Sequence, residues 1–192
     1  MVNENSPVSF NTIVHTMSLI FVLCTAIPAK NDRLIIHHVD STFTCSLTIN
    51  CMLSQQQAFD FLCMDSIIKR LPGSADSVAV DTTSLGKVRV ISFFKMFGYR
   101  AKSTILRTAF RQRGEIFLDV YDFEHNWSIV PLVLSGSGLY SIQPTVNGST
   151  ITYTQRVNLD RLIKPLHKFL IFWQLSAFER QFKHVFEPFQ NN

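Results

Sequence analysis

Acid–base chemistry needs a carboxylate or an imidazole held in a fixed place, and this chain has few groupings of that kind. Asp119, Asp122 and Glu124 lie close to His125, a set that in a cleft would serve as acid and base. Their position at the end of an alternating run reads instead as a solvated strand end and turn. Glu115 and Asp119 are the mid-strand carboxylates an enzyme would have to use. His37 and His38 are adjacent, and neighbouring strand side chains point to opposite faces, so the pair does not easily chelate one metal. No Gly-x-Ser-x-Gly, His-Glu-x-x-His, phosphate loop or Gly-x-Gly-x-x-Gly occurs. Gly136-Ser-Gly138 lacks the third glycine and reads as a turn or bulge. Cys24, Cys45, Cys51 and Cys63 form no Cys-x-x-Cys pair. Cys45 and Cys51 share one strand parity and read as small core hydrophobes. The residues therefore name no catalytic group, no metal site and no cofactor.

Positive charge is the second feature. Between Lys87 and Arg113 lie Lys87, Arg89, Lys95, Arg100, Lys102, Arg107, Arg111 and Arg113, eight of the 18 basic residues, with no Asp or Glu among them. Lys87, Arg89, Arg100, Lys102, Arg107 and Arg111 could meet an anionic membrane surface, or form an ordinary solvated sheet face. A nucleic-acid partner is not expected. The net charge is only +4, and Phe93, Phe94, Phe97 and Tyr99 lack the spacing of an RNA-stacking platform.

The elements that must position these groups follow from the apolar pattern. A chain of 192 residues with 46% hydrophobic and 17% charged residues is about one domain with a substantial core, neither disordered nor a coiled coil. Its 17 Phe must be buried or line something apolar. From Asn5 to Ala29 there is no charged side chain. Residues 13–29 read as an export signal, a membrane anchor or a packed element. The leader before them lacks a basic residue, and Pro28 disturbs a helix end. The expected organisation is an apolar segment over 1–40 and a domain over 41–192. The product is then exported or membrane-associated, with a cytoplasmic location as the alternative.

Thr42 to Leu53 alternates and predicts a half-buried strand with Phe43, Cys45, Leu47, Ile49, Cys51 and Leu53 inward. Ser54-Gln-Gln-Gln57 predicts a capping box opening a short helix. A second short helix is expected over Met64 to Leu71, stopped by Pro72-Gly73. About six β segments follow. They run over Ser77–Asp81, Lys87–Phe93, Glu115–Phe123, Trp127–Leu134, Leu139–Val146 and Thr150–Val157, with a hairpin at Asn147-Gly148. Arg100 to Arg113 fits a helical stripe or a strand, and its neighbours favour the strand. Pro165 opens a long helix with Leu166, Phe169, Leu170, Trp173, Ala177, Phe178, Phe182, Val185 and Phe186 on one stripe. Strands never alternate with helices, so the fold class is α+β: a curved antiparallel sheet gripping the last helix, with two short helices after the first strand.

In this layout the chain resembles the START-like, or SRPBCC, helix-grip proteins, which include polyketide cyclase/dehydrase-like and coenzyme Q-binding members. The resemblance spans about residues 41–187. It rests on the strand before Ser54-Gln-Gln-Gln-Ala-Phe-Asp-Phe-Leu62, on Leu71-Pro-Gly73, and on Gly98-Tyr-Arg100. Glu115 opening a strand and Gly138-Leu-Tyr-Ser-Ile-Gln-Pro144 leading to Asn147-Gly-Ser-Thr-Ile-Thr-Tyr153 complete it. A curved sheet closed by one helix tends to leave an interior too wide to fill, and the resemblance implies such a cavity. Ile116, Leu118, Tyr140, Ile142, Tyr153, Phe169 and Trp173 are the candidate lining, with plain core packing as the alternative for each. Arg107 or Tyr153 would orient a polar group. The implied partner is a lipid or other apolar small molecule. A cyclase or dehydratase-type enzyme using the same cavity and a structural domain with a filled core are the alternatives. An apolar pocket of about 300 Å³ or more favours binding, a carboxylate or His inside it favours the enzyme, and no pocket leaves the third.

Overall fold

The computed structural model describes residues 34–83, 87–96, 98–128 and 132–190. The expectations for residues 13–29 and Cys24, and for the middle of the Trp127–Leu134 segment, lie outside them. Eight strands form one antiparallel sheet: β1 (Ile35–Val39), β2 (Thr42–Cys51), β3 (Ser77–Thr82), β4 (Val88–Met96), β5 (Tyr99–Phe110), β6 (Glu115–His125), β7 (Val133–Thr145) and β8 (Gly148–Leu159). Helices α1 (Gln55–Cys63) and α2 (Asp65–Arg70) follow β2, and α3 (Pro165–Phe186) follows β8. The spatial order is β1-β2-β8-β7-β6-β5-β4-β3. The six-strand meander thus folds back until its last strand pairs with β2, Leu47 opposite Tyr153.

Local chemistry accounts for most boundaries. Ser54 caps α1: its hydroxyl accepts the Gln57 amide, and Gln57 Oε1 accepts the Ser54 amide. Ile67, Ile68 and Leu71 are buried and the chain leaves the helix at Pro72. Thr145 pairs with Gly148, whose positive φ of 145° closes the β7–β8 hairpin. On β2 the alternation is nearly complete, with Phe43, Cys45, Leu47, Ile49 and Cys51 all buried. Cys45, Cys51 and Cys63 are free thiols. Burial pushes the Cys45 thiol up to about 12, partly offset by a hydrogen bond involving Gln155.

Four details depart from the sequence reading. Residues 35–39, placed there in the apolar N-terminal segment, form strand β1 paired with β2. Residues 100–113 divide into most of β5 and a 3₁₀ turn, Arg111–Arg113. Segments 127–134 and 139–146 are not separate strands, because one strand runs from Val133 through both glycines to Thr145. Gly136 and Gly138 are therefore not a turn. A Cβ on Gly136 would lie 2.7 Å from Val120 Cγ2, and one on Gly138 would lie 3.0 Å from Leu118 Cδ1. They are in-strand positions where β6 side chains come too close for a side chain on β7. Finally, Leu166 on α3 is 39% exposed, while His167 next to it is 3% exposed. The buried face of α3 begins one residue later than the apolar stripe suggests.

Candidate functional site

The inward faces of β4 to β8 and the N-terminal half of α3 enclose a cavity of about 230 Å³. Strand parity selects its walls. On β5, Tyr99, Ser103, Ile105 and Arg107 all line it, as do Leu118 and Val120 of β6 and Tyr153, Gln155 and Val157 of β8. His167, Leu170, Trp173, Gln174 and Phe178 of α3 form the opposite wall, and Pro72, Gly73 and Ser74 close one side. The space falls short of 300 Å³ because aromatic rings on α3 occupy the far end. Tyr140 stacks on Phe182 at 6.0 Å, Phe182 on Phe178 at 5.5 Å, and Phe182 meets Phe186 at 5.2 Å.

Four of the seven expected lining residues meet at this cavity: Leu118, Tyr140, Tyr153 and Trp173. The other three lie elsewhere. Ile116 and Ile142, at 0% and 1% exposure, belong to the packed core with Phe182 and Phe186. Phe169 is not on the wall but packs against Ala101 and against Tyr99 and Leu170, which are.

The wall carries few polar groups. Tyr153 donates its hydroxyl to Gln155 Oε1 at 2.8 Å. Burial raises the Tyr140 phenol to about 12, against a lowering pull from Arg107, and burial also drives Tyr153 well up. Arg107 is 6% exposed, and its Nη2 donates to the Leu62 carbonyl at 3.0 Å. Its guanidinium carbon lies 5.7 Å from the centre of the Tyr140 ring. Among the described residues no Asp or Glu lines the cavity. Asp119 is exposed and Glu115 half-buried, both away from it. The histidine the sequence reading missed is His167. Its Nδ1 accepts the Lys164 amide at 3.0 Å and so holds the start of α3. The capping-box signature is Ser or Thr followed three residues later by Glu or Gln, so Lys164-Pro-Leu-His167 carries no such signal in the sequence.

The basic run divides by the same parity. Arg107 faces inward, whereas Arg89 pairs with Asp81, Arg111 with Asp60, and Lys102 with Glu124 at 3.6 Å and Asp122 at 4.0 Å. Lys87 and Arg100 have no ion pair among the described residues. Among the described residues no helix is long and apolar enough to cross a membrane.

No family model matches the chain, and no curated protein does. Solved structures do. The Zhui aromatase/cyclase from Streptomyces sp. R1128 superposes with a TM-score of 0.59 at 10% identity, over 75% of this chain and 90% of that one. A START superfamily protein from Mycobacterium smegmatis gives 0.51 at 12% identity, over 76% and 97%. The fold is START-like. The di-domain aromatase/cyclase BexL of the BE-7585A biosynthetic pathway gives 0.58 at 16% identity, over 81% of this chain and 52% of that one. The chain thus spans about half of the two-domain protein.

Proposed function

We propose that the protein binds a small apolar molecule in the cavity between the sheet and α3. The observation that carries this reading is the cavity itself. Core packing in folded proteins leaves few voids larger than a water molecule, yet a partly open pocket of about 230 Å³ stands between sheet and helix here. Its walls are mainly aromatic and aliphatic, so burial of ligand surface supplies the drive at about 25 cal/mol per Å². The START-like fold of a named aromatase/cyclase and a START superfamily protein supports a ligand-holding role.

His167 on the wall is the kind of group the enzyme reading asked for, but binding is preferred to acid–base catalysis on chemical grounds. A neutral imidazole has a single acceptor nitrogen, and that of His167 is engaged with the Lys164 amide. With no carboxylate on the wall, the cavity has polar groups that orient a ligand better than ones that take its proton. The test is native mass spectrometry of the purified protein, with organic extraction, followed by isothermal titration with naphthalenemethanol. A co-purifying small molecule or a saturable binding heat is expected. Absence of both would overturn the reading.

A further inference from the structure

We propose that the cavity selects an apolar carboxylate, whose carboxyl group pairs with Arg107; this rests on the cavity-binding reading above. Arginine stays charged at any relevant pH. Arg107 is buried to within 6% and has no ion pair among the described residues. Of the five N–H donors in a guanidinium, the Leu62 carbonyl accepts from one group, Nη2. The Tyr140 ring beneath it supplies a cation–π contact. A buried charge normally has a counter-charge, since its desolvation is otherwise uncompensated. Here the open space beside it is where one would sit.

The form of that counter-charge follows from the site. The guanidinium fork matches a carboxylate with two parallel hydrogen bonds. A monoanion leaves no net buried charge beside Arg107, whereas a phosphate dianion leaves one excess negative charge in an apolar cavity. The Tyr140 hydroxyl has no hydrogen-bond partner among the described residues and is available as a further donor. The Tyr153 hydroxyl is not, being held by Gln155. The remaining walls, such as Leu118, Leu170 and Trp173, suit a short hydrocarbon tail.

The experiment compares acids with alcohols of the same tail by isothermal titration: octanoate against octanol, and naphthoate against naphthalenemethanol. The two pairs separate an aliphatic from an aromatic tail. On the native chain each acid that binds is expected to exceed its alcohol by about 10- to 100-fold, the range of a charged hydrogen bond. Arg107→Met should bring the ratio close to one, and Arg107→Lys should keep part of it. Equal affinities on the native chain, or a preference that survives Arg107→Met, would overturn the assignment while leaving cavity binding intact. Binding of none of the four would overturn the cavity reading and this one together. The native-chain ratio and the lysine variant decide the matter if the methionine variant does not fold.

Discussion

Along its C-terminal half α3 presses Phe182 and Phe186 into the sheet, both at 0% exposure, over Ile116, Ile142 and Ile151. Along its N-terminal half the same helix stands over Arg107, Tyr140 and Tyr153 with about 230 Å³ between them. Sheet and helix are continuous across the two ends, so backbone architecture alone does not make the cavity. The difference lies in which side chains point inward. At the solid end most inward positions carry a branched aliphatic or a ring, and the small ones, Cys51 and Ser149, contact each other. At the hollow end β7 contributes two glycines and β5 a serine at Ser103, and Arg107, Gln155, His167 and Gln174 stand among the apolar walls. The solid end supplies stability and the hollow end gives up some packing for a site, a division that core truncations at each end can measure.

The largest effect is expected from Phe182→Ala. Phe182 has rings on three sides, and its removal should cost about 3–5 kcal/mol in denaturant unfolding. Leu118→Ala, at the wall of the existing void, should cost less than about 2 kcal/mol, because its methyls already lack neighbours on one side. Equal losses at the two positions would mean that the ends are packed alike.

Alkaline pH probes the boundary between them, where Tyr140 touches both Phe182 and Arg107. Its phenol is raised from 10.0 to about 12 by burial. An unfolded tyrosine releases its proton near the lower value and the folded one holds it to the higher. The unfolded state therefore binds fewer protons in that window, and stability falls as pH rises. Below about pH 10 the stability is full. Between about 10 and 12 the tyrosine removes roughly 1.4 kcal/mol per unit, a total of about 2–3 kcal/mol. Cys45, raised from 9.0 to about 12, begins the decline one unit earlier. Unfolding midpoints measured across this range should fall less steeply for Tyr140→Phe than for the native chain. Identical slopes would contradict a buried phenol at this position.

The layout was legible in the sequence because period-two and period-3.6 patterns report burial directly. The strand opening at Thr42, which ends at Cys51 and not at Leu53, the Ser54 capping box and the Pro165 helix start all read true. Which buried positions face empty space was not legible. Ile116 and Leu118 share a face two residues apart, as do Tyr140 and Ile142, and only the reach of Phe182 from a distant helix decides which of each pair meets the cavity. Phe169 shares the cluster around Tyr99 with its neighbour Leu170, and of the two only Leu170 lines the cavity. Arg107 was readable in part. It shares parity with Tyr99, Ser103 and Ile105, whereas Arg100 and Lys102 lie on the other face of the strand. Counting it in a basic surface run conceals that difference. The glycines were misread because a Gly-Ser-Gly string signals a turn unless a neighbouring strand requires close approach.

Those glycines supply the smallest effect and the sharpest test of how the hollow end is built. A Cβ on Gly136 would meet Val120 Cγ2 at 2.7 Å and Cβ at 3.1 Å, and valine has little rotamer freedom with which to yield. Gly136→Ala should therefore destabilise by roughly 1–2 kcal/mol, against the usual gain from replacing a strand glycine. If the clash is the cause, Val120→Ala removes it. The double variant should then lose less than the sum of its two single losses, with a coupling of about 0.5–2 kcal/mol. A cycle that closes without coupling would show that Gly136 is present for the bend of the β7 backbone itself. In that case the curvature over the cavity is set by chain conformation, and the contact between β6 and β7 is its consequence.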